Sequence, residues 1–336
     1  MTQQRLTGKR ILEMVRAFQP ACVLIAGGDL DVFTLLHKRP MTAEKLAGRL
    51  KGSARAAEVL LDALAALGAL KKSAAEPPVY SVPPRLAEAL TEDARRGVLG
   101  MLRHQGACLR KWSDLAAVVL SGKPAPKRPS VRGHEGDTES FIRAMHEVSS
   151  PLAEPLVKSL GRLKFKRLLD LGGASGTWTV PLLRRSPGAA ATIFDLPHVI
   201  PMARRRLAKL GLGDRVKLVA GSFYTDQLPP GHDLAWVSAI VHQNSRAQNR
   251  AMFRKIYAAL VPGGRILIRD VVLEPSRTRP VHGALFAVNM LVGTQGGSTF
   301  TFRELAEDLR TAGFGGVRYL RRGEAMDTVI EAVRPR

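Results

Sequence analysis

At 336 residues, with 45% hydrophobic and 24% charged content, the chain is long enough for two globular domains, and its formal net charge of +22 is the unusual quantity. Two cysteines, Cys22 and Cys108, support neither a disulfide framework nor a zinc site, and the eight histidines form no ligand-spaced cluster, so no metal is expected. No apolar run approaches a membrane span and the polar start, Met1 to Arg5, is not a signal peptide, so a cytoplasmic protein without a membrane partner is expected.

Residues 1–105 read as mostly helical. Thr42 is a good N-cap for a helix to Leu50, and a stronger helix follows from Glu58 to Leu67 with Leu60, Leu64 and Leu67 on one face. A short strand, Val79 to Val82, completes a helix, helix, wing outline. A DNA reader would place Arg, Asn and Gln on its second helix, but Ala56 to Ala65 is apolar and partly acidic. It suits a core or an interface, and nucleic acid is not expected as a partner. The basic residues are spread along the chain (Arg95-Arg96, Arg110-Lys111, Lys123 to Arg132, Lys158 to Arg167, Arg204 to Arg206, Arg318 to Arg322), which favours a solvated surface over a single docking patch.

Residues 106–160 form a helical bridge. Within it, Ser121 to Ser130, continuing to Gly136, is a loop by composition, and Phe141 to Val148 is a helix. From 161 to 336 strands and helices alternate. Strands fall near 167–171, 191–195, 216–220, 233–239, 265–271, 317–320 and 327–333, which predicts a seven-stranded, mostly parallel, Rossmann-like α/β sheet.

The stretch Arg167 to Trp178 organises this second half. An apolar run carries Asp170, the glycines Gly172, Gly173 and Gly176 follow, and a helical pattern resumes at Trp178. Such a strand, turn and helix binds a ligand at the strand's carboxyl end. Glycines suit the turn because it demands unusual φ/ψ and close backbone approach. A second acid, Asp195, closes the next apolar run, where a carboxylate can take both hydroxyls of a ribose. These residues point to a nucleoside-containing cofactor. With an acid two residues before the first glycine, the turn suits an ammonium group better than a pyrophosphate. Further on, a buried run from Asp233 leads to His242, ahead of a capping box at Ser245 and Gln248, and Asp270 ends the next strand. A neutral histidine with an orienting carboxylate can accept a hydroxyl proton; the alternatives are a hydrogen-bonded histidine at a strand end for His242 and, equally, a structural acid for Asp270.

At the glycine turn the chain resembles the S-adenosylmethionine (SAM) methyltransferases, with Ala174 in place of a middle glycine. Over nearly its whole length it resembles the O-methyltransferase family of caffeate, hydroxyindole and polyketide-tailoring enzymes, whose winged-helix N-terminal domain mediates dimerisation. Phe194-Asp195-Leu196-Pro197 resembles the ribose-binding segment. Val219 to Phe223 looks like the adenine segment, with Ser222 replacing an acid. Val241 to Asn244 is similar to the catalytic His-Asp-Trp, keeping only His242. Gly296-Gly297-Ser298-Thr299 resembles Gly-Gly-Lys-Glu-Arg-Thr, with Ser298 where a second glutamate is usual.

The resemblance implies His242 as base, with Asp270 one methylene shorter than the family's glutamate. It implies a SAM site of Asp170, Gly172, Gly173, Ser175, Gly176, Asp195, Leu196, Ser222, Phe223 and Ser238. It also implies an acceptor pocket of Phe141, Met145, His146, Asn289 and Met290. The expected organisation is a dimerisation domain at 1–105, a pocket-lining linker at 106–160 and a catalytic domain at 161–336. The expected activity is methylation of a hydroxyl on a small aromatic metabolite of secondary metabolism, by a homodimer. Methylation at carbon or nitrogen, or a SAM-binding relative with other chemistry, is the alternative, with RNA modification or nucleic-acid binding behind it.

Overall fold

A computed structural model describes residues 6–92, 94 and 97–336, so Met1 to Arg5 and the basic pair Arg95-Arg96 lie outside the described residues. The chain divides into two compact units, one of Met1–Arg110 with Lys127–Val148, the other of Lys111–Pro126 with Ser149–Arg336.

The first unit opens with α1 (Gly8–Arg16) and α2 (Phe18–Asp29), followed by α3 (Val32–Lys38), α4 (Ala43–Leu50) and α5 (Ala54–Ala66). Thr42 and Ser53 cap α4 and α5 by accepting from the backbone N–H of Lys45 and Ala56. A hairpin of β1 (Lys71–Lys72) and β2 (Tyr80–Ser81) forms the wing, with β2 inside the stretch Val79 to Val82 read as a strand, so the domain is mostly helical without being all-α. Then come α6 (Pro84–Leu90) and α7 (Leu99–Trp112). Leu61 and Leu64 are the residues of α5 buried with Phe33, Leu36 and Tyr80. Leu67, expected on that face, is the helix C-cap and is exposed, because α5 ends at Ala66.

Two further expectations are corrected. α1 and α2 run on almost without a break, giving a helical stretch Gly8–Asp29 long and apolar enough to cross a membrane by length and composition. Helix continuity through Ala17 joins segments that Arg10, Glu13 and Arg16 interrupt in the sequence. Next, α8 (Leu115–Ser121) is followed by a loop that ends earlier than composition indicates. A 27-residue helix, α9 (Gly133–Ser159), starts three residues before Gly136 and carries Pro151 and Pro155 inside it. Its residues up to Val148 belong to the first unit and the remainder to the second.

The second unit is built on one sheet. Its strands are β3 (Arg167–Leu171), β4 (Ala190–Asp195), β5 (Val216–Ala220), β6 (His232–Ser238) and β7 (Leu260–Asp270), then β10 (Gly315–Arg321) and β11 (Thr328–Val333) after a separate pair, β8 (Val272–Leu273) and β9 (Phe300–Thr301). The helices between them are α10 (Thr179–Arg184), α11 (Ile200–Lys209), α12 (Arg246–Ala259), α13 (Val281–Gly293) and α14 (Phe302–Thr311). The order is β10-β11-β7-β6-β3-β4-β5, parallel except for β11. Both faces are covered, which is why these strands read as near-continuous apolar runs. One face packs on α12 and α14 through Phe253, Ile256, Leu305 and Leu309. The other buries Leu168, Ile193, Leu234, Trp236 and Leu267 against Trp178, Leu183 and Leu207. β3 and β6 sit side by side at the centre, where chain order reverses, the place at which such sheets open a crevice at their carboxyl ends.

Phe253 is fully buried on the inner face of α12. Phe253→Ala is expected to cost about 3–5 kcal/mol of stability. Chemical unfolding would show this as a lower denaturant midpoint, and an unchanged midpoint would mean the face is not packed as described.

Candidate active site

The turn after β3 is shaped by its contacts as much as by its glycines. Gly172, Ala174 and Gly176 all have positive φ (65°, 46° and 74°). A Cβ on Gly172 would stand 2.5 Å from Ile240 Cδ1, and one on Gly173 would stand 2.8 Å from Asp170 Cγ. Asp170 therefore lies beneath the turn rather than open to it. It is 1% exposed, and its Oδ2 accepts from Thr179 Oγ1 at 2.5 Å, in the first turn of α10. Burial, with Asp195 nearby, pushes its carboxyl up to about 7. The Ser175 side chain is also turned inward, its hydroxyl beside Thr177 Oγ1 at 3.1 Å, while its carbonyl accepts from Arg206 Nη1 at 2.9 Å.

Asp195, the last residue of β4, is tied to the same turn. Its Oδ2 accepts from Ala174 N–H at 2.8 Å and its Oδ1 from Leu196 N–H at 2.7 Å. Each oxygen keeps a second lone pair for a ligand hydroxyl. Burial raises the Asp195 pKa, against the pull of those two backbone donors and His198. Leu196 is exposed, and Phe223 lies against Tyr224 with ring centroids 4.5 Å apart, on the loop after β5. Ser222, on that loop, donates its N–H to Asp226 Oδ2 at 2.8 Å. Sequence reasoning overlooked Asp226, a carboxylate four residues beyond the place where one was expected.

His242 is not at a strand end. β6 stops at Ser238, Ala239 takes φ +58°, and His242 sits in a 3₁₀ turn, Val241–Gln243. The reason is that Ala239 N–H donates to Arg269 O, the last sheet contact before the chain turns away. That turn brings His242 to Asp270. His242 Nδ1 is 2.9 Å and 3.0 Å from the two Asp270 oxygens, and Asp270 is 1% exposed. Val271 N–H donates to the same carboxylate at 2.8 Å. With the Nδ1 proton donated to Asp270, Nε2 is left as the proton-accepting nitrogen.

Several groups that the sequence did not single out hold this turn. Asn249 Nδ2 donates to Val241 O at 2.9 Å, Asn244 Nδ2 donates to Asn249 Oδ1 at 3.0 Å, and Tyr224 Oη donates to Asn244 Oδ1 at 2.6 Å. Asn244 and Asn249 are fully buried, a polar pairing five residues apart that periodicity does not register. Ser298 N–H donates to His242 O at 2.9 Å. A Cβ on Gly297 would lie 2.6 Å from that oxygen, which accounts for a glycine there.

Phe286 of α13 sets its ring edge-on to His242, with centroids 4.8 Å apart and planes at 76°, and His282 stacks on Phe286. Asn289, one turn on from Phe286, accepts the Trp112 indole N–H at Oδ1, 2.9 Å away, so its amide N–H groups are the ones left to donate. Met290 is buried at 8% exposure and accepts from Thr294 through its carbonyl. Phe141, Met145 and His146 lie on the part of α9 in the first unit, where Phe141 packs on His104 at 5.1 Å. Among the described residues, no group of three or more His, Cys, Asp or Glu is placed to hold a metal ion.

A family model described as the O-methyltransferase domain matches residues 112–315, and one described as the O-methyltransferase dimerisation domain matches residues 12–93. The chain belongs to the O-methyltransferase family. It is similar to 3-hydroxy-5-methyl-1-naphthoate 3-O-methyltransferase of Streptomyces sahachiroi, 32% identical over 300 residues, covering 89% of this chain and 87% of that one. The tetracenomycin polyketide synthesis 8-O-methyl transferase TcmO of Streptomyces glaucescens is also 32% identical, over 92% of this chain and 91% of its own length. Among solved structures, human N-acetylserotonin methyltransferase in complex with SAM matches with a TM-score of 0.78 at 26% identity, covering 100% of both chains. The enzyme class is SAM-dependent O-methyltransferase, and SAM is its cosubstrate.

Asp170 gives the site a measurable signature. Its folded-state value of about 7 lies above the ordinary 3.8, so the folded protein holds a proton that the unfolded chain releases. Stability from this group is greatest at acid pH and falls as pH climbs between those two values. Asp170→Asn is expected to be more stable than the parent above pH 7, by an amount on the order of 4 kcal/mol, with the gap closing toward pH 4. Urea unfolding across that range tests this, and a gap independent of pH would refute the burial-driven shift.

Proposed function

We propose that His242 is the general base of this O-methyltransferase and that Asp270 orients it. The observation that carries the reading is the two-oxygen contact of Asp270 with His242 Nδ1, which leaves Nε2 as the nitrogen not engaged by the carboxylate, with Phe286 edge-on to the ring. In this reading Nε2 takes the proton of the acceptor hydroxyl, and the buried carboxylate stabilises the imidazolium that results. Phe286 screens the pair from water, and the Asn289 amide donates to an oxygen of the acceptor beyond the reacting hydroxyl. When bound, SAM supplies a sulfonium methyl group, an electrophile that requires little beyond an in-line lone pair.

The glycine turn fits the cosubstrate. Asp195 presents two outward lone pairs for the ribose hydroxyls, and Leu196, Ser222 and Phe223 flank the adenine position. Gly172, Gly173, Ser175, Gly176 and Ser238 would border the amino-acid end, with Asp170 acting on the ammonium from beneath the turn. The acceptor is a small hydroxylated arene, a class supported by the naphthoate and polyketide names of the two bacterial relatives. Within the second unit, Asn289 and Met290 would contact it.

His242→Ala is expected to lower kcat about 10²–10⁴-fold on a phenolic acceptor while leaving SAM affinity, measured by calorimetry, within a few-fold. A variant as active as the parent would remove the base role and favour methylation at carbon or nitrogen.

The dimerisation match and the apolar face of α1 together support a homodimer through the N-terminal domain, which we assign to residues 1–105, with 106–160 as linker and 161–336 as catalytic domain. Ile11, Leu12, Val15 and Phe18 are exposed on this helix run, which pairing between copies explains without invoking a membrane. A content of two cysteines in 336 residues suits a reducing cytoplasm. The double variant Leu12→Asp, Val15→Asp should sediment as a monomer, and an unaltered dimer would move the interface elsewhere.

A further inference from the structure

Arg269 is the largest buried charge in the second unit that the proposed mechanism leaves unused. It lies on β7 one residue before Asp270, so its side chain leaves the opposite face of the sheet, and it is 2% exposed. Its guanidinium carbon sits 4.3 Å from the centre of the Trp178 ring, and Nη1 donates to Ser238 Oγ at 2.9 Å. Trp178 is the N-cap of α10, directly after the glycine turn, and Ser238 is the last residue of β6. Arg269 thus touches both sides of the crevice's inner end.

Among the described residues the charge has no counter-ion within salt-bridge distance. The two carboxylates whose fields reach it, Asp270 and Asp327, are bonded to His242 and to Arg321. Its Nε is buried and finds no acceptor among the described residues. Burial lowers its pKa to about 10, still far above neutrality, so the group stays a cation. An uncompensated cation in a dry site is costly unless an anion arrives to pair with its field.

The register shows which groups share a face with this charge. Val237 of β6 pairs with Leu171 of β3, so Ser238 stands level with Gly172 of the turn. Asp170 pairs with Trp236, two residues before Ser238, and so lies on the same face as Arg269. One face of the sheet therefore offers an acid under the turn and, two strands away, a cation behind a serine hydroxyl. That is the charge pattern of an α-amino acid zwitterion. Because Ser238 Oγ accepts from Arg269, its own hydroxyl proton is free to donate outward.

We infer that Arg269 is a positioning residue that turns Ser238 into a hydrogen-bond donor for the α-carboxylate of SAM and supplies the positive field that holds that carboxylate. The inference rests on the SAM reading of the glycine turn. It assigns recognition of the amino-acid end to a pair, Ser238 and Arg269, rather than to the turn alone.

Calorimetric titration with two ligands tests it. S-adenosylhomocysteine carries the amino-acid end, and 5′-methylthioadenosine has the same nucleoside and sulfur without it. Arg269→Met should weaken S-adenosylhomocysteine roughly ten- to a hundredfold, the range for a hydrogen bond to a charged group, and leave 5′-methylthioadenosine within about threefold. Arg269→Lys should restore part of the difference. Ser238→Ala, which removes only an oxygen, should show the same selective loss, and retained 5′-methylthioadenosine binding certifies a folded site in each variant. Equal losses for both ligands, or no loss for either, would overturn the assignment. If the parent protein binds neither ligand, the SAM reading itself fails, and the inference falls with it.

Discussion

Everything in the site hangs on the register between β6 and β7. The pairing runs from Leu234 with Arg265 to Ser238 with Arg269, and it fixes which face receives each side chain at the strand ends. Asp270 falls on the α12 side, where the 3₁₀ turn delivers His242, and Arg269 falls on the side of Trp178 and the glycine turn. Because side chains alternate with period two, a slip of one residue would exchange them. The acid would then face an aromatic ring and the cation a histidine. The buried runs Leu234 to Val237 and Ile266 to Ile268 prevent this, since a slip would unpack two cores at once.

The turn that carries His242 is held by a lattice of neutral hydrogen bonds, while the ring itself meets the Asp270 carboxylate. Tyr224, Asn244, Asn249 and Val241 form a continuous chain from the loop after β5 to the 3₁₀ turn. A buried network of this sort rigidifies when every member is satisfied and is destabilising when one is lost. It also links the loop after β5 to the turn that carries His242, so the two share one support.

The sequence made the frame legible because both signals were local. Apolar runs bounded by glycine placed β3 and β4, and the Ser245 and Gln248 capping box marked the start of α12. Asp195 was readable from its spacing to the turn. Where reading failed, the cause was not local. His242 leaves the strand because an alanine, Ala239, adopts positive φ, which residue type does not announce. Leu67 looked like core by its spacing from Leu64, yet the helix had already ended. The Asn244 pairing, the Arg269 contacts and the Trp112 bond to Asn289 join residues whose proximity only the folded chain creates.

Phe286 belongs to α13, which lies between β8 and β9 and contributes no strand to the main sheet. Asp270 ends a strand of the sheet and His242 hangs from the turn after β6, whereas Phe286 beside His242 stands on a separate helix. Such a partition lets the two evolve at different speeds. Substitutions along α13 can therefore change the wall beside His242 without disturbing the strands that carry Asp270 and lead to His242.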